Sequence, residues 1–476
     1  MSLKTLIGLE IHVELSTKTK MFCGCKNEFG QAPNTNICPI CLGHPGALPS
    51  MNKKAVEYAI MAGFAFDCKI RNEFKMDRKK YFYPDLTKGY QITQEEYPIC
   101  YEGKITLDTE EGKKDIRIQR IHIEEDTGKS IHNEEGQTLM DYNRCGVPLI
   151  EIVTHPDLSS AEEARSFLDQ LKERIKYLGI SDVKMEEGSL RCDCNINVVE
   201  VETGFKTKIS EVKNMNSFRA VEKAIEYETR RHKKMVEEKL EGHKETRRWV
   251  EDPGHTEVMR RKEEGNDYRF SIEGDIPYVE IDPAFIQDVK NHLPELPHDR
   301  MDRFIKDYKI EEYDADILTR SKALADYFEE TLEYIKDPQL VSNWILTDVS
   351  RRLNEKDQNF EDIEVSPKTF ANLLLLVKED KINQNTGKKV LRAVFEEGVD
   401  PKEYVEEKGL IQITDDDALS KIVENVLEEN PQSIEDIKNG KDRAFGYLVG
   451  QCMKASRGKG NPQKFNELLR QQIDKM

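Results

Sequence analysis

Two periodicities divide the chain. Up to about residue 290, apolar residues recur at every second position in runs such as LIGLEIHVEL, KITLDTEEGKKDIRIQRIHIEE and NINVVEVETGFKTKISEV, rich in β-branched residues and punctuated by glycine. A period of two turns alternate side chains to opposite faces of an extended chain, so these runs predict strands of half-buried sheet. Helical patterns lie between them. SSAEEARSFLDQLKERIKYLG has Ser159 or Ser160 placed as an N-cap, acidic residues in the first turn and Gly179 as a stop. Helices that could cross over between parallel strands are few, which predicts an α+β fold with a mainly antiparallel sheet.

The pattern changes at HLPELPHDR, where two closely spaced prolines disfavour continued helix. Beyond it, segments such as SKALADYFEETLEYIK and SPKTFANLLLLVKED place apolar residues three and four apart, with short connections. The 476 residues suit about three domains at roughly 150 residues each. The expected division is a strand-rich domain over residues 1–292, an all-α domain over 293–405 and a small all-α tail over 406–476.

Composition narrows the function. A formal charge of −18 excludes a surface that is basic throughout, so any nucleic-acid contact needs a local basic patch. The tail offers one: residues 402–437 hold 3 basic and 11 acidic side chains, whereas residues 438–476 hold 9 basic and 3 acidic, a net of +6. The longest run free of polar side chains other than tyrosine is Tyr58 to Phe66, far short of the roughly 20 residues that span a bilayer. The N-terminal sequence reaches Glu10 too early for a secretory signal, and a cytoplasmic protein is expected.

In a reducing compartment, crowded cysteines point to metal rather than disulfides. Cys23-Gly-Cys25 and Cys38-Pro-Ile-Cys41 are two close pairs separated by twelve residues. Each pair can clasp one edge of a tetrahedron, which predicts a structural zinc site in an insert over residues 20–45. A second constellation is acidic. Alternation along IGLEIHVEL puts Glu10, His12 and Glu14 on one face; Glu124 and Glu125 follow in IHIEED, Glu151 interrupts PLIEIV, and Glu186, Glu187 and Glu211 come later. Gathered carboxylates repel unless a divalent cation compensates, and carboxylates with an imidazole suit Mg²⁺ or Mn²⁺. A third is KMDRKKYFYPDLTKGYQIT, residues 75–93, in which cations alternate with aromatics in a manner suited to a nucleotide. Thr127-Gly128-Lys129-Ser130 mimics the end of a phosphate-binding loop, but Ile123 stands where that motif needs its first glycine.

Taken together, LIGLEIHVEL, DRKKYFYPDLTKGYQI, IHIEEDTGKS, MDYNRCGVPLIEIV, VKMEEGSLRCDCN, VKNMNSF and GYLVGQCMKASRGKGNP resemble the B-subunit family of aspartyl/glutamyl-tRNA amidotransferases, in order from residue 3 to the end. Two stretches, FKTKISEVKN and DYRFSIEGDIP, depart from the family's usual form. The resemblance implies a cradle domain with a glutamine synthetase-like catalytic fold, followed by a helical domain and a tail that touches tRNA. It implies ATP-dependent phosphorylation of the side-chain carboxylate of Glu-tRNA(Gln) or Asp-tRNA(Asn). Ammonia from a glutaminase A subunit then displaces phosphate, with a small C subunit completing a heterotrimer.

The resemblance further implies His12, Glu125 and Glu151 as principal Mg²⁺ ligands, and Glu10, Glu124, Glu186 and Glu211 as a second metal or ammonia-channel shell. It makes Lys79, Tyr83, Asp85, Lys88 and Gln91 the nucleotide or acceptor-end residues, and Lys454, Arg457 and Lys459 the tRNA contacts. Other readings differ in what they require. An archaeal E-type subunit would carry a large inserted domain for which 476 residues leave no room. A non-catalytic zinc-containing RNA scaffold would leave the carboxylates without a task, and a ligase for free glutamate would not need the basic tail.

Overall fold

The computed structural model describes residues 2–133, 135–261, 268–412, 416–438, 442–456 and 459–474. The chain forms two compact units, Met1–Leu296 and Pro297–Met476.

The first unit is built on a nine-stranded sheet. We label its long strands β1 (Leu3–Glu14), β4 (Cys100–Thr109), β5 (Gly112–Glu125), β6 (Pro148–Thr154), β7 (Leu190–Glu200), β8 (Ser210–Lys213), β9 (Glu245–Val250) and β10 (His255–Arg261). They lie in the order β10-β9-β8-β7-β1-β6-β5-β4, with the two-residue strand Lys69–Ile70 at the far edge. A small second sheet is formed by β2 (Asp77–Lys80), β3 (Tyr90–Thr93) and β11 (Ser271–Ile272). Every pair in the large sheet is antiparallel except β8–β9, so the expected α+β architecture with a mainly antiparallel sheet is what the chain adopts. The parallel pair is joined by a helical crossover, α3 (Phe218–Glu237), as parallel neighbours require.

The alternation read from the sequence decides which side of this sheet is dry. Ile7, Leu9, Ile11 and Val13 of β1 are fully buried, as are Ile150 and Ile152 of β6 and Cys192, Cys194 and Ile196 of β7. This apolar face packs against α1 (Lys53–Ala65), α2 (Ala161–Leu178) and α3. Ser160 caps α2 by accepting from the Glu163 amide, and Gly179 ends it at φ +67°, a left-handed conformation that glycine adopts without a Cβ penalty. With all three helices on one face, the other face is left to Glu10, His12, Glu151, Asp193 and Glu211.

Beneath the β8–β10 edge, α3 contributes a buried polar network. Glu228, fully buried, accepts from Arg231 at 2.7 Å, lies 3.3 Å from His232 Nε2 and 3.2 Å from Arg247 Nε, and is reached by Thr256 Oγ1 at 2.5 Å. His232 and Arg231 both also meet Ser210 Oγ, which anchors the start of β8. Burial alone would raise the Glu228 carboxyl, but its hydrogen bonds from His232 and Arg231 outweigh that and bring it down to about 2. A carboxyl depressed in the folded state adds stability above its unfolded value, near 4.5, and loses it as pH falls toward about 2. The pH-dependent contribution is on the order of 3 kcal/mol. We expect the stability gap between wild type and Glu228→Gln, read from chemical unfolding of the sheet domain, to shrink between pH 5 and pH 3. A gap of constant size would show that the carboxyl is not depressed.

The second unit is helical. Helices from Pro297–Tyr308 to Pro401–Glu407 share one core that includes Phe304, Phe328, Trp344, Phe370 and Leu391. Asp416–Glu429, Pro431–Lys438, Asp442–Ala455 and Pro462–Ile473 surround a separate one containing Leu419, Val423, Leu448, Phe465 and Leu469.

Candidate active site

The polar face of the large sheet brings ionisable residues together by register. His12 stands opposite Arg191 on one neighbour and Glu151 on the other, and Glu151 stands opposite His122. One row across four strands therefore reads Arg191, His12, Glu151, His122. Glu124, two residues beyond His122 on β5, reaches the same group. His12 Nε2 lies 3.4 Å from Glu124 and 3.3 Å from Glu151, and His122 Nε2 lies 3.3 Å from Glu151. Thr93 of β3 donates to Glu124 at 3.1 Å.

Electrostatics bind these groups to one another. Burial by itself would lower the His12 imidazole, but Glu151 and Glu124 outweigh it and hold it above its ordinary value. The same contest brings His122 to about 9. Glu151 is held well below the usual carboxylate range, since His122 and His12 overcome its desolvation. Lys79 on β2 is half-buried nearby, and the fields of Glu124 and Glu151 keep it charged against desolvation.

One strand over, Glu10, Asp193 and Glu211 place carboxylate oxygens within 4.8 Å of one another. Asn195 donates to Glu10 at 2.8 Å, while Lys213 binds Asp193 and lies 3.2 Å from Glu211. Burial and the Glu151 charge raise the Glu10 carboxyl, the signature of acidic groups gathered without enough positive charge.

Strand alternation separates two adjacent glutamates. The expected trio of His12, Glu125 and Glu151 is not the one the strands assemble: Glu124 shares the face of His122, whereas Glu125 turns to the opposite face with Ile123. There Glu125 accepts from Lys88 at 2.7 Å and from the Ile92 amide at 3.1 Å. Gln91 is tied to the Glu125 carbonyl at 2.9 Å, so it clasps β3 to β5. Asp85 accepts from Thr127 at 3.0 Å, Tyr83 is exposed, and Glu186 is exposed on the loop before β7, away from both carboxylate groups. In the tail, Lys454 is exposed and Lys459 half-buried; Arg457 lies outside the described residues.

Four residues in these groups escaped the sequence reading: His122, Arg191, Asp193 and Lys213. The signal was present for three of them. In LRCDCNI the buried cysteines fix the apolar face and thereby turn Arg191 and Asp193 to the other, and Ile121 and Ile123 do the same for His122. Lys213 needed the pairing of β8 with β7, which alternation does not give.

The four cysteine sulfurs also lie within 4.8 Å of one another. Cys38 and Cys41 Sγ are 3.8 Å apart, matching the edge of about 3.8 Å expected for a tetrahedron of sulfurs at ~2.3 Å from zinc. A hydrogen bond from Cys23 and the nearby Lys20 ammonium lower Cys41 to about 5, which favours the thiolate a metal needs. The donor set suits a structural metal such as zinc.

Against this geometry, comparison with known proteins is decisive. The family profile of the GatB/GatE catalytic domain matches residues 5–287, and that of the GatB domain matches residues 326–473. The chain belongs to the GatB family of amidotransferase B subunits. The B subunit of the aspartyl/glutamyl-tRNA(Asn/Gln) amidotransferase of Finegoldia magna is 65% identical over 473 residues, 99% of this chain and 100% of that protein. Its counterparts in Clostridium tetani, 48% identical over 480 residues, and Clostridium botulinum strain Okra, 50% identical over 477, cover both chains in full. The resemblance drawn from the sequence motifs thus holds over the whole length, and the protein is a component of a glutamine-hydrolysing amidotransferase. No described helix is long and apolar enough to cross a membrane.

Proposed function

We propose that the sheet domain phosphorylates the side-chain carboxylate of Glu-tRNA(Gln) or Asp-tRNA(Asn) with ATP and then passes the acyl phosphate to ammonia. A carboxylate is a poor electrophile because it has no good leaving group, whereas an acyl phosphate expels inorganic phosphate. In the first step a carboxylate oxygen bonds to the γ-phosphorus and ADP leaves; in the second, ammonia bonds to the acyl carbon and phosphate leaves. The first step brings an anion against a polyanion, so the site must supply positive charge in line.

The observation that carries this reading is the convergence of His12, Glu124 and Glu151 on the sheet face opposite the helices, with both carboxylates buried and His12 partly exposed. Their 3.3–3.4 Å separations are close to the roughly 3 Å edge of an octahedron with ligands at ~2.1 Å. These three residues would hold one Mg²⁺ or Mn²⁺, and Glu10, Asp193 and Glu211 a second. Bound there, the cations neutralise charge on the transferring phosphoryl group. Lys79 projects a fixed cation toward the same place, and Arg191 joins Asp126 at 2.6 Å to brace the row beside His12. The Lys88–Glu125 pair sits on the reverse face, where it lines a cavity with Cys41, Arg78 and Tyr90, and in this reading it serves the ammonia step rather than phosphoryl transfer. We further propose that the glutaminase A subunit and a small C subunit complete the enzyme, and that residues 406–476 hold the RNA. Comparing ATP consumption by the assembled complex with Glu-tRNA, Asp-tRNA and free glutamate or aspartate tests the reading. Turnover with the free amino acids equal to that with charged tRNA would overturn it.

The tail role has its own test. Each phosphate neutralised by a lysine contributes a slope of about 0.9 to the dependence of log affinity on log salt. The double variant Lys454→Glu, Lys459→Glu is expected to weaken tRNA binding at low salt and flatten that slope by about 2. An unchanged slope would assign these lysines to an ordinary solvated helix end.

A further inference from the structure

One buried cation has no part in the chemistry derived so far. Among the described residues, the buried side chains of Lys75, Arg247 and Arg300 each meet a carboxylate, at 3.3, 2.6 and 2.7 Å, whereas Lys20, fully buried, meets none. Its Nζ instead donates to the Asn36 carbonyl at 2.8 Å and lies 3.8 Å from Cys41 Sγ. Its own amide donates to the Cys25 carbonyl at 2.9 Å, so this one residue touches both cysteine pairs. The backbone on either side is pinned as well: Asn52 Nδ2 donates to the Lys20 carbonyl at 3.3 Å, and the Met21 amide to the Gly146 carbonyl at 2.7 Å. Lys20 is thus held in place beside the sulfurs.

Burying a charge is costly unless an opposite charge compensates it, and lysine ordinarily avoids the cost by reaching water or a carboxylate. Lys20 reaches neither. The cysteines supply the missing anion only when a metal is bound. Without one, four sulfurs this close keep most of their protons, because like charges repel; around a divalent cation all four are thiolates and together form a dianion. The loaded knuckle therefore rewards a buried ammonium and the metal-free knuckle does so far less. We propose that Lys20 is the built-in counter-cation of the four-thiolate site, a positioning residue whose charge favours the metal-loaded knuckle over the metal-free one. The proposal rests on the reading of the cysteines as a zinc site and names the residue that sets how firmly the metal is kept.

The test compares the full chain with Lys20→Met, which keeps the length of the side chain without its charge, and Lys20→Arg, which keeps the charge but adds bulk. Zinc affinity is read by competition with a chromophoric chelator. Removing a group that supports metal ligands typically costs about 10–100-fold in affinity, and a loss in that range is expected for Lys20→Met. Lys20→Arg is expected to hold zinc more firmly than Lys20→Met despite fitting less well. Cobalt(II) in place of zinc gives a second readout. Without the ammonium the Cys41 sulfur is more electron-rich, so the sulfur-to-cobalt charge-transfer band of Lys20→Met is expected to move to lower energy, while the d–d bands keep the pattern of a four-sulfur tetrahedron. Wild-type affinity in Lys20→Met overturns the proposal. So does an equal loss in both variants with altered d–d bands, which would assign Lys20 to packing. Hydrogen-exchange protection of β1 and β6 is expected to survive both substitutions; its loss would assign Lys20 to the sheet core and overturn the proposal too. A wild-type chain that binds no zinc overturns the zinc reading itself, and shows this before any variant is compared.

Discussion

Glu151→Gln is expected to lower tRNA-dependent ATP cleavage and amidation by about 10³-fold, the equivalent of some 4 kcal/mol in the transition state, while the fold survives. Gln keeps the shape of Glu, and the hydrophobic side of β6, Ile150 and Ile152, is untouched. What is lost is the charge in the middle of the row. Glu151 meets both His12 and His122 at 3.3 Å, closer than Glu124 at 3.4 and 3.7 Å, so it is the carboxylate on which the group is centred. Under the proposed function glutamine hydrolysis belongs to the partner subunit; it is expected to survive the substitution and serves as the control, read alongside ADP release with charged tRNA present. Glu124→Gln is expected to follow Glu151→Gln closely. Glu125→Gln tests a different thing, since it releases Lys88 on the reverse face. If Glu151→Gln amidates at a rate near wild type while Glu125→Gln does not, the phosphoryl site belongs on the other side of β5.

That contrast between neighbouring glutamates shows what could be read from sequence and what could not. Alternation along β1 was legible because its core side, Leu9, Ile11 and Val13, is apolar at every position, leaving Glu10, His12 and Glu14 one direction to share. Similarly, the first-turn acids and Gly179 declared α2. The grouping of His12 with Glu151 and Glu124 was not legible from local pattern, because it depends on the register of β1 against β6, more than a hundred residues away, and of β6 against β5. The same holds for Asp193, which the pairing of β1 with β7 sets opposite Glu10. Exposure also escapes local pattern: Glu186 follows Met185 in a loop, and nothing in VKMEEGSL says that its carboxylate stays outside both clusters. The cysteine group was legible for the opposite reason, since its pairs are close in sequence and a tetrahedron needs only the intervening loop to fold back.

For that group the expected result is structural before it is catalytic. Cys38→Ser, or zinc stripped from the intact protein by a strong chelator, should free the segment over residues 20–45 to proteolysis and hydrogen exchange, since a four-thiolate zinc site contributes roughly 10 kcal/mol or more of local folding energy. Apart from the cysteines the segment is held by hydrogen bonds: Asn34 and Asn36 are tied to Met140, Asp141 and Asn143, and Asn27 donates to the Leu15 carbonyl. Lys20, fully buried, donates to the Asn36 carbonyl at 2.8 Å, and Gly43, at φ +67°, packs so closely on Lys88 that a Cβ there would lie 2.5 Å from its Cγ. Thr87 donates to the Cys41 carbonyl at 2.9 Å, and the next residue is Lys88, the partner of Glu125. Disorder in the knuckle therefore reaches the Lys88–Glu125 pair before it reaches His12, Glu124 and Glu151. Ammonia-dependent amidation should fall several-fold, and ATP cleavage driven by charged tRNA should change less, an order opposite to that for Glu151→Gln. Elemental analysis of protein purified without added metal decides the premise. About one zinc per chain in the wild type and none in Cys38→Ser supports it, whereas four freely titrating thiols and no zinc in the wild type would leave the knuckle to be held by its hydrogen bonds alone.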